Sequence, residues 1–232
     1  MKGMAIILVV ILAIAAGFPW LQRSLPAHWN PFIPLSVTDA PGPVTRFKLQ
    51  RLQQDPAACL AFLQRARAAG LISFSQPPAL RGSCPLAAPI RIQRFAQVSL
   101  SSSFLASCPL AVSSLMFVTQ AAKSAATTPL RSPLVRIEHV GSYACRNIYH
   151  RAQGRLSEHA TADAWDVTAF RLANGLRISV ARDWKGTDEK AALLHQWFNS
   201  GCNWFGNTLG PDYNAAHATH FHLGMRGFNL CR

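Results

Sequence analysis

The spacing of apolar residues changes several times along the chain, and each change marks an element. From Gly3 to Leu21, "GMAIILVVILAIAAGFPWL", no charge interrupts; Lys2 precedes the run and Arg23 is the next charge. Such a run is just long enough to cross a hydrocarbon core of about 30 Å. "AIAA" at Ala13–Ala16 also offers the small-residue pattern a signal peptidase cuts. Residues 1–22 therefore read as a membrane anchor or as a cleaved signal segment, and both send the remainder across a membrane. Residues 23–45 carry five prolines and no helical spacing, which predicts a linker lifting a domain off the membrane.

From Arg46 the pattern becomes that of a folded domain, residues 46–232. "RFKLQRL" and "DPAACLAFLQRARAAG" have helical spacing, with Asp55 as N-cap, Pro56 in the first turn and Gly70 as the stop. "APIRIQRFAQVSL" alternates and predicts a strand. "SCPLAVSSLMFVTQAA" predicts a helix and "LVRIEHV" a strand. In "AWDVTAFRLANGLRISVA" two alternating runs flank Asn174-Gly175, the strongest hairpin signal in the chain. "TDEKAALLHQWFNSG" predicts a helix with acids in its first turn and Gly201 as its stop. Helices and strands mix without regular β-α alternation. The expected fold is a single α+β domain, a small antiparallel sheet flanked by helices, behind the N-terminal segment.

Cysteine usage adds a compartment. Cys59, Cys84, Cys108, Cys145, Cys202 and Cys231 are even in number and widely spread, with no C-x-x-C pair. Disulfides in an oxidising compartment are the expected state, and fifteen pairings are open. The net charge of +13 is spread over single basic residues without a clustered stripe. That pattern speaks against nucleic acid as a partner. It suits an exported protein drawn to an anionic envelope, and general solubility accounts for it equally.

Candidate chemistry gathers near the C-terminus. Three of the eight histidines, His217, His220 and His222, fall in "YNAAHATHFHLGM". Catalytic zinc commonly takes three His or carboxylate ligands and leaves a fourth position open. The histidines therefore need a carboxylate, and one lies in "LSEHATADAWDVTAF", where Asp166 would project from the first hairpin strand and His159 from the loop before it. His220 and His222 share strand parity and so can address one region. Trp204, Phe205 and Tyr213 read as core aromatics.

These residues also carry a resemblance. "S-x-H-x-x-A-x-A-x-D" (Ser157, His159, Ala162, Ala164, Asp166) followed by "H-x-x-H-x-H" resembles the zinc motifs of the D-Ala-D-Ala metallopeptidase and Hedgehog fold. The histidine spacing is similar to that of penicillin-insensitive murein endopeptidases. Over roughly residues 45–232 the chain resembles the bacterial extensin-like C-terminal domain family, through "CPL", "GSYACRN", "RLSEHATADAWDVTAFRL", "LGPDYNAAHATHFHL" and the final "CR". The resemblance implies His159, Asp166 and His222 as zinc ligands, His220 as an imidazole beside the metal and His217 as a further neighbour. Arg146 falls where related peptidases have an arginine ahead of the first zinc motif. Ala162 departs from the pattern, since those peptidases usually carry glycine there, and it adds a Cβ to a tight loop.

Peptide hydrolysis at such a centre needs zinc to acidify water and a group to carry a proton to the leaving amine. The chain has no H-E-x-x-H and only Glu138, Glu158 and Glu189 as glutamates. His220 is the first candidate for general base and Glu158, beside a ligand, the second. Arg146 would bind a substrate carboxylate or stabilise an oxyanion. The expected function is a zinc-dependent peptidase of the bacterial envelope acting on peptidoglycan stem peptides, anchored in the inner membrane facing the periplasm, or secreted if the N-terminus is cut. Two other readings stand beside it: a metal-stabilised wall-binding module that does not cut, and a structural envelope protein whose metal only stabilises.

Overall fold

The computed structural model describes residues 2–227 and 230–232. The N-terminal run forms α1 (Lys2–Ser24), with Ile6 to Leu12 exposed. Among the described residues it is the one helix long and apolar enough to cross a membrane, a test that a signal sequence also passes. The proline-rich stretch after it does not run as a free spacer. Leu35 and Val37 are buried in the core, and Asn30 and Asp39 are buried polar residues. Lys48, from α2 (Thr45–Gln54), is 4% exposed; it donates to the Ala27 carbonyl at 2.8 Å and lies 3.8 Å from Asp39. Prolines keep this segment out of helix and sheet, yet do not stop it from packing.

α3 (Pro56–Ala68) begins as its sequence predicts, with the Asp55 carboxylate accepting from the Ala58 N–H at 2.9 Å and Pro56 in the first turn. Gly70 closes it at φ +71°, a left-handed turn in which the Leu71 N–H reaches the Ala66 carbonyl. After β1 (Ser73–Ser75), the alternating run 88–100 proves to be parts of two strands, β2 (Ile90–Phe95) and β3 (Val98–Ala106), joined by a tight turn. Ala96 sits there at φ +45°. No glycine, asparagine or proline marked that turn, so alternation alone ran the strands together.

Ser107 caps α4 (Cys108–Thr127), which returns the chain to β4 (Leu134–His139) parallel to β3. A helix of 20 residues is long enough for such a crossover. The hairpin at Gly175 (φ +87°) joins β5 (Ala164–Leu172) to β6 (Arg177–Ser179), and the short α5 (Val180–Asp183) follows at once. α6 (Glu189–Trp204) runs through Gly201, the residue expected to stop it. A Cβ at Gly201 would press on Thr208 and Leu223 at 3.3 and 3.4 Å, so this glycine serves close packing and not termination. β7 (Asn207–Leu209), β8 (Phe221–Gly224) and β9 (Leu230–Cys231) complete the chain, with β9 parallel to β7.

The α+β expectation holds, but the sheet is neither small nor antiparallel. Among the described residues it is one mixed sheet of nine strands, ordered β1-β2-β3-β4-β5-β8-β7-β9, with β6 beside β5. The core includes Trp165, Phe170, Leu115, Phe117, Trp197 and Phe221. The cysteines form three disulfides, Cys59–Cys108, Cys84–Cys145 and Cys202–Cys231. With the exposed apolar helix they point to a location outside the cytoplasm.

Candidate metal centre

β5 supplies the centre of the site because of an irregularity. β4 pairs Glu138 with Ala169 but His139 with Val167, so Thr168 is an extra residue on β5. Such a bulge reverses the side-chain alternation. Phe170 can therefore join Val167 in the core, packed on Trp197 at 4.3 Å, while Asp166 projects from the opposite face. On the neighbouring strand Asp166 faces His222 in register. His159 arrives from a 3₁₀ turn, Glu158–Thr161, whose first N–H groups are capped by Ser157. Ala162 ends that turn in the left-handed region at φ 53°, ψ 37°. Its N–H and that of Asp163 reach back to the His159 and Glu158 carbonyls, as at a helix C-terminus. Glycine would adopt this backbone without the steric cost of a Cβ.

Three buried side chains meet at this point. His159 Nε2 lies 3.1 Å from Asp166 Oδ2, and His222 Nδ1 lies 2.9 Å from Asp166 Oδ1. All three donor atoms fall within 4.8 Å of one another, and among the described residues this is the one such set. Tetrahedral zinc with bonds of ~2.0 to 2.2 Å holds its ligand atoms roughly 3.3 Å apart, close to these separations. The far sides of the rings support the same assignment. His159 Nδ1 faces the Ser142 carbonyl at 2.9 Å, so with a metal bound the ring would keep its proton there and offer the Nε2 lone pair. His222 Nε2 faces Glu158 at 3.5 Å, leaving Nδ1 directed at Asp166. The residues present fit a metal ion.

Electrostatics follow from crowding charge in a buried place. Burial alone raises the Asp166 carboxyl, but hydrogen bonds to His159 and His222 outweigh it and hold the group well below the usual carboxylate range. Burial pushes His222 down, and the carboxylates of Asp166 and Glu158 overcome this and lift it to about 9. His217 goes the other way, to about 4, through burial and the neighbouring His222 and His220. His220 is lowered chiefly by burial, against the pull of Asp166.

The other predicted residues take distinct places. His220 precedes β8, with Nε2 3.6 Å from Asp166 Oδ1, near the set but not of it. His217 is held by the Asn214 side chain at 2.8 Å, its ring 5.5 Å from those of His220 and His222. Glu158 lies behind His222: its oxygens accept from Asn207 Nδ2 at 3.1 and 3.2 Å and from the Arg226 N–H at 2.7 Å. That space exists because residue 224 is glycine, whose Cβ would fall 2.6 Å from the Asn207 amide. Arg146 lines the cleft above the centre, a cavity of about 460 Å³. Trp204 and Phe205 are core as expected, whereas Tyr213 stands at the cleft, partly exposed.

Sequence reasoning missed the supports. Ser142 acts through a backbone carbonyl, which no side-chain pattern announces. His139 anchors its segment, accepting from the Gly141 N–H at 3.1 Å and facing the Ser102 carbonyl at 2.9 Å. Tyr149 and His150 both sit at positive φ, 55° and 56°, on the cleft rim, an unusual backbone for non-glycine residues. The Tyr149 hydroxyl accepts from the Asn214 side chain at 3.2 Å and so links the two rim loops.

An α+β domain with two histidines and one aspartate converging under a cleft defines a chain built around a candidate metal centre. The family model described as "Extensin-like protein C-terminus" matches residues 57–232, and the chain belongs to that family. Comparison with curated proteins finds no match, and neither does comparison with solved structures.

Proposed function

We propose that the protein is a zinc-dependent peptidase of the bacterial envelope that hydrolyses amide bonds in peptidoglycan stem peptides. The observation that carries this reading is the convergence of His159, Asp166 and His222 at an accessible cleft with a further imidazole, His220, beside them. A zinc ion held there supplies Lewis acidity and makes water reactive at neutral pH. The relation to the D-Ala-D-Ala metallopeptidase and Hedgehog fold is part of the same proposal and rests on the spacing of these motifs.

Each side chain then has a task. Ser142 and Glu158 hold the two imidazoles in the tautomers that leave His159 Nε2 and His222 Nδ1 available. His220, neutral because its proton affinity is lowered, takes a proton at Nε2 and returns it to the leaving amine. Glu158 is a positioning residue in this scheme, since its oxygens are committed to Asn207, the Arg226 N–H and His222. Arg146 meets a substrate carboxylate at the cleft; Arg155 and Arg226 line it as well and favour an anionic substrate. We place the protein in the inner membrane facing the periplasm, held by α1.

One observation favours a second reading. His220 is close enough to Asp166 that a modest shift would make it a fourth ligand, which closes the centre as structural zinc sites are closed. The protein would then be a metal-stabilised wall-binding module. Metal analysis of the purified full chain and its variants separates the two. One zinc per chain is expected, absent in Asp166→Ala and retained in His220→Ala, with muropeptide cleavage lost in both. Loss of zinc from His220→Ala would favour the closed site. No zinc in the wild-type chain under zinc-replete conditions would remove the enzyme reading.

A further inference from the structure

We propose that the segment following α1, together with α2 and the start of α3, forms a binding site for anionic phospholipid at the surface of the bilayer that α1 crosses. The inference is independent of the metal centre and rests on α1 remaining attached.

Outside α1, the exposed large apolar side chains of the described residues fall into few places. Tyr149, Leu156 and Tyr213 belong near the metal cleft, and Val140 stands apart. The remainder, Trp29 (53% exposed), Phe32 (54%), Ile33 and Phe47, lie on the segment that follows α1 and on α2. The segment itself is tied to α1. Phe32 packs edge-on against Phe18 of α1 at 5.1 Å, and the Asn30 side chain donates to the Gln22 carbonyl in its last turn. A patch of this kind facing water would be an aggregation hazard. Held against the end of a membrane-crossing helix, it lies where tryptophan and other amphipathic rings gather, at headgroup depth. Trp20, 71% exposed on the last turns of α1, fits the same level.

Beside the patch is a second cleft of about 480 Å³, between residues 31–35 and the helices α2 and α3. Its walls are apolar, with Phe32, Ile33 and Leu52, and two exposed guanidinium side chains, Arg51 and Arg65, line it. Arg51 also stands over the Phe47 ring at 5.8 Å. The acid in the lining, Asp55, is engaged in capping α3, and Lys48 is turned inward to Asp39 and Ala27. Two guanidinium groups beside an apolar trough match a phosphate ester joined to acyl chains, since arginine binds phosphate in a bidentate fork. The chain's charge of +13 adds attraction to an anionic leaflet.

Hydrogen exchange of the full chain in nanodiscs tests this, comparing phosphatidylcholine alone with phosphatidylcholine containing phosphatidylglycerol. Each cation near an anionic surface is worth about fivefold in binding. Amides in 29–36 and 47–52 should therefore exchange roughly twentyfold more slowly in the anionic discs. Arg51→Glu with Arg65→Glu should abolish that difference, while exchange in 213–222 stays unchanged and circular dichroism reports an intact fold. Equal exchange in both lipids, or protection that persists in the double variant, would overturn the site. So would a mass, measured on chain made in cells, showing that α1 has been cut away.

Discussion

Ala162 shows how one residue can oppose its own backbone. The 3₁₀ turn that delivers His159 needs a left-handed residue to end it, and alanine there pays a steric penalty of about 1 to 2 kcal/mol. Glycine removes the penalty but gives back about 0.5 to 1 kcal/mol through the freedom of its unfolded chain. Ala162→Gly should therefore stabilise the domain by about 0.5 to 1 kcal/mol, read as a higher melting temperature; a lower one would mean that the Cβ packs usefully. The same scale holds a proton-linked prediction. With its proton affinity raised to about 9, His222 is protonated at pH 7 in the metal-free protein. Because the folded value lies above the ordinary one near 6.5, the stabilisation it lends is present below that value and is lost as pH rises through about 9. A metal ion held there would have to displace this proton, while Asp166 is already ionised. Zinc uptake at pH 7 should release about one proton, and affinity should climb roughly tenfold per pH unit toward 9. Calorimetry in buffers of different ionisation enthalpy measures this, and no proton release would contradict it.

At the scale of elements, the disulfides do unequal work. Each closes a loop whose chain entropy is worth about 4 kcal/mol by the loop-length relation, for separations of 49, 61 and 29 residues. Only Cys84–Cys145 adjoins the segment 142–146 that carries the Ser142 carbonyl and Arg146. Tyr143 reinforces it by donating to the Cys84 carbonyl at 2.6 Å, and the Ala144 N–H reaches the His159 carbonyl at 3.0 Å. Replacing Cys84 and Cys145 by serine should therefore weaken zinc binding about tenfold or more, the loss typical of removing an orienting partner. Replacing Cys59 and Cys108 should lower the melting temperature with little change in zinc affinity. Equal zinc affinities in the two variants would show that the bridge does not hold the site.

Legibility also divides at this level. Asp55-Pro56 and Asn174-Gly175 announced their cap and turn because each acts on backbone within a few residues. His159, Asp166 and His222 were legible as a set because their motif types are rare together. The β2–β3 turn at Ala96, the Thr168 bulge and the role of Gly201 were not, because each depends on what a distant strand or helix requires. Sheet direction was missed for a related reason: whether α4 returns the chain beside or across β3 is decided by packing, not by local pattern.

For the whole molecule, the segment between α1 and α2 decides where the cleft operates. A free linker of about 20 residues would let the domain wander over roughly 25 Å. Instead Leu35, Val37 and the buried Lys48 fasten it to the body. With α1 in a membrane, the cleft above His159, Asp166 and His222 would be carried at one height and one tilt, like a tool on a fixed bracket and not on a cord. If the proposed wall peptides are its substrate, strands of wall polymer beyond that level would be out of reach however long the protein waits. Its targets would be set by distance from the membrane as much as by chemistry.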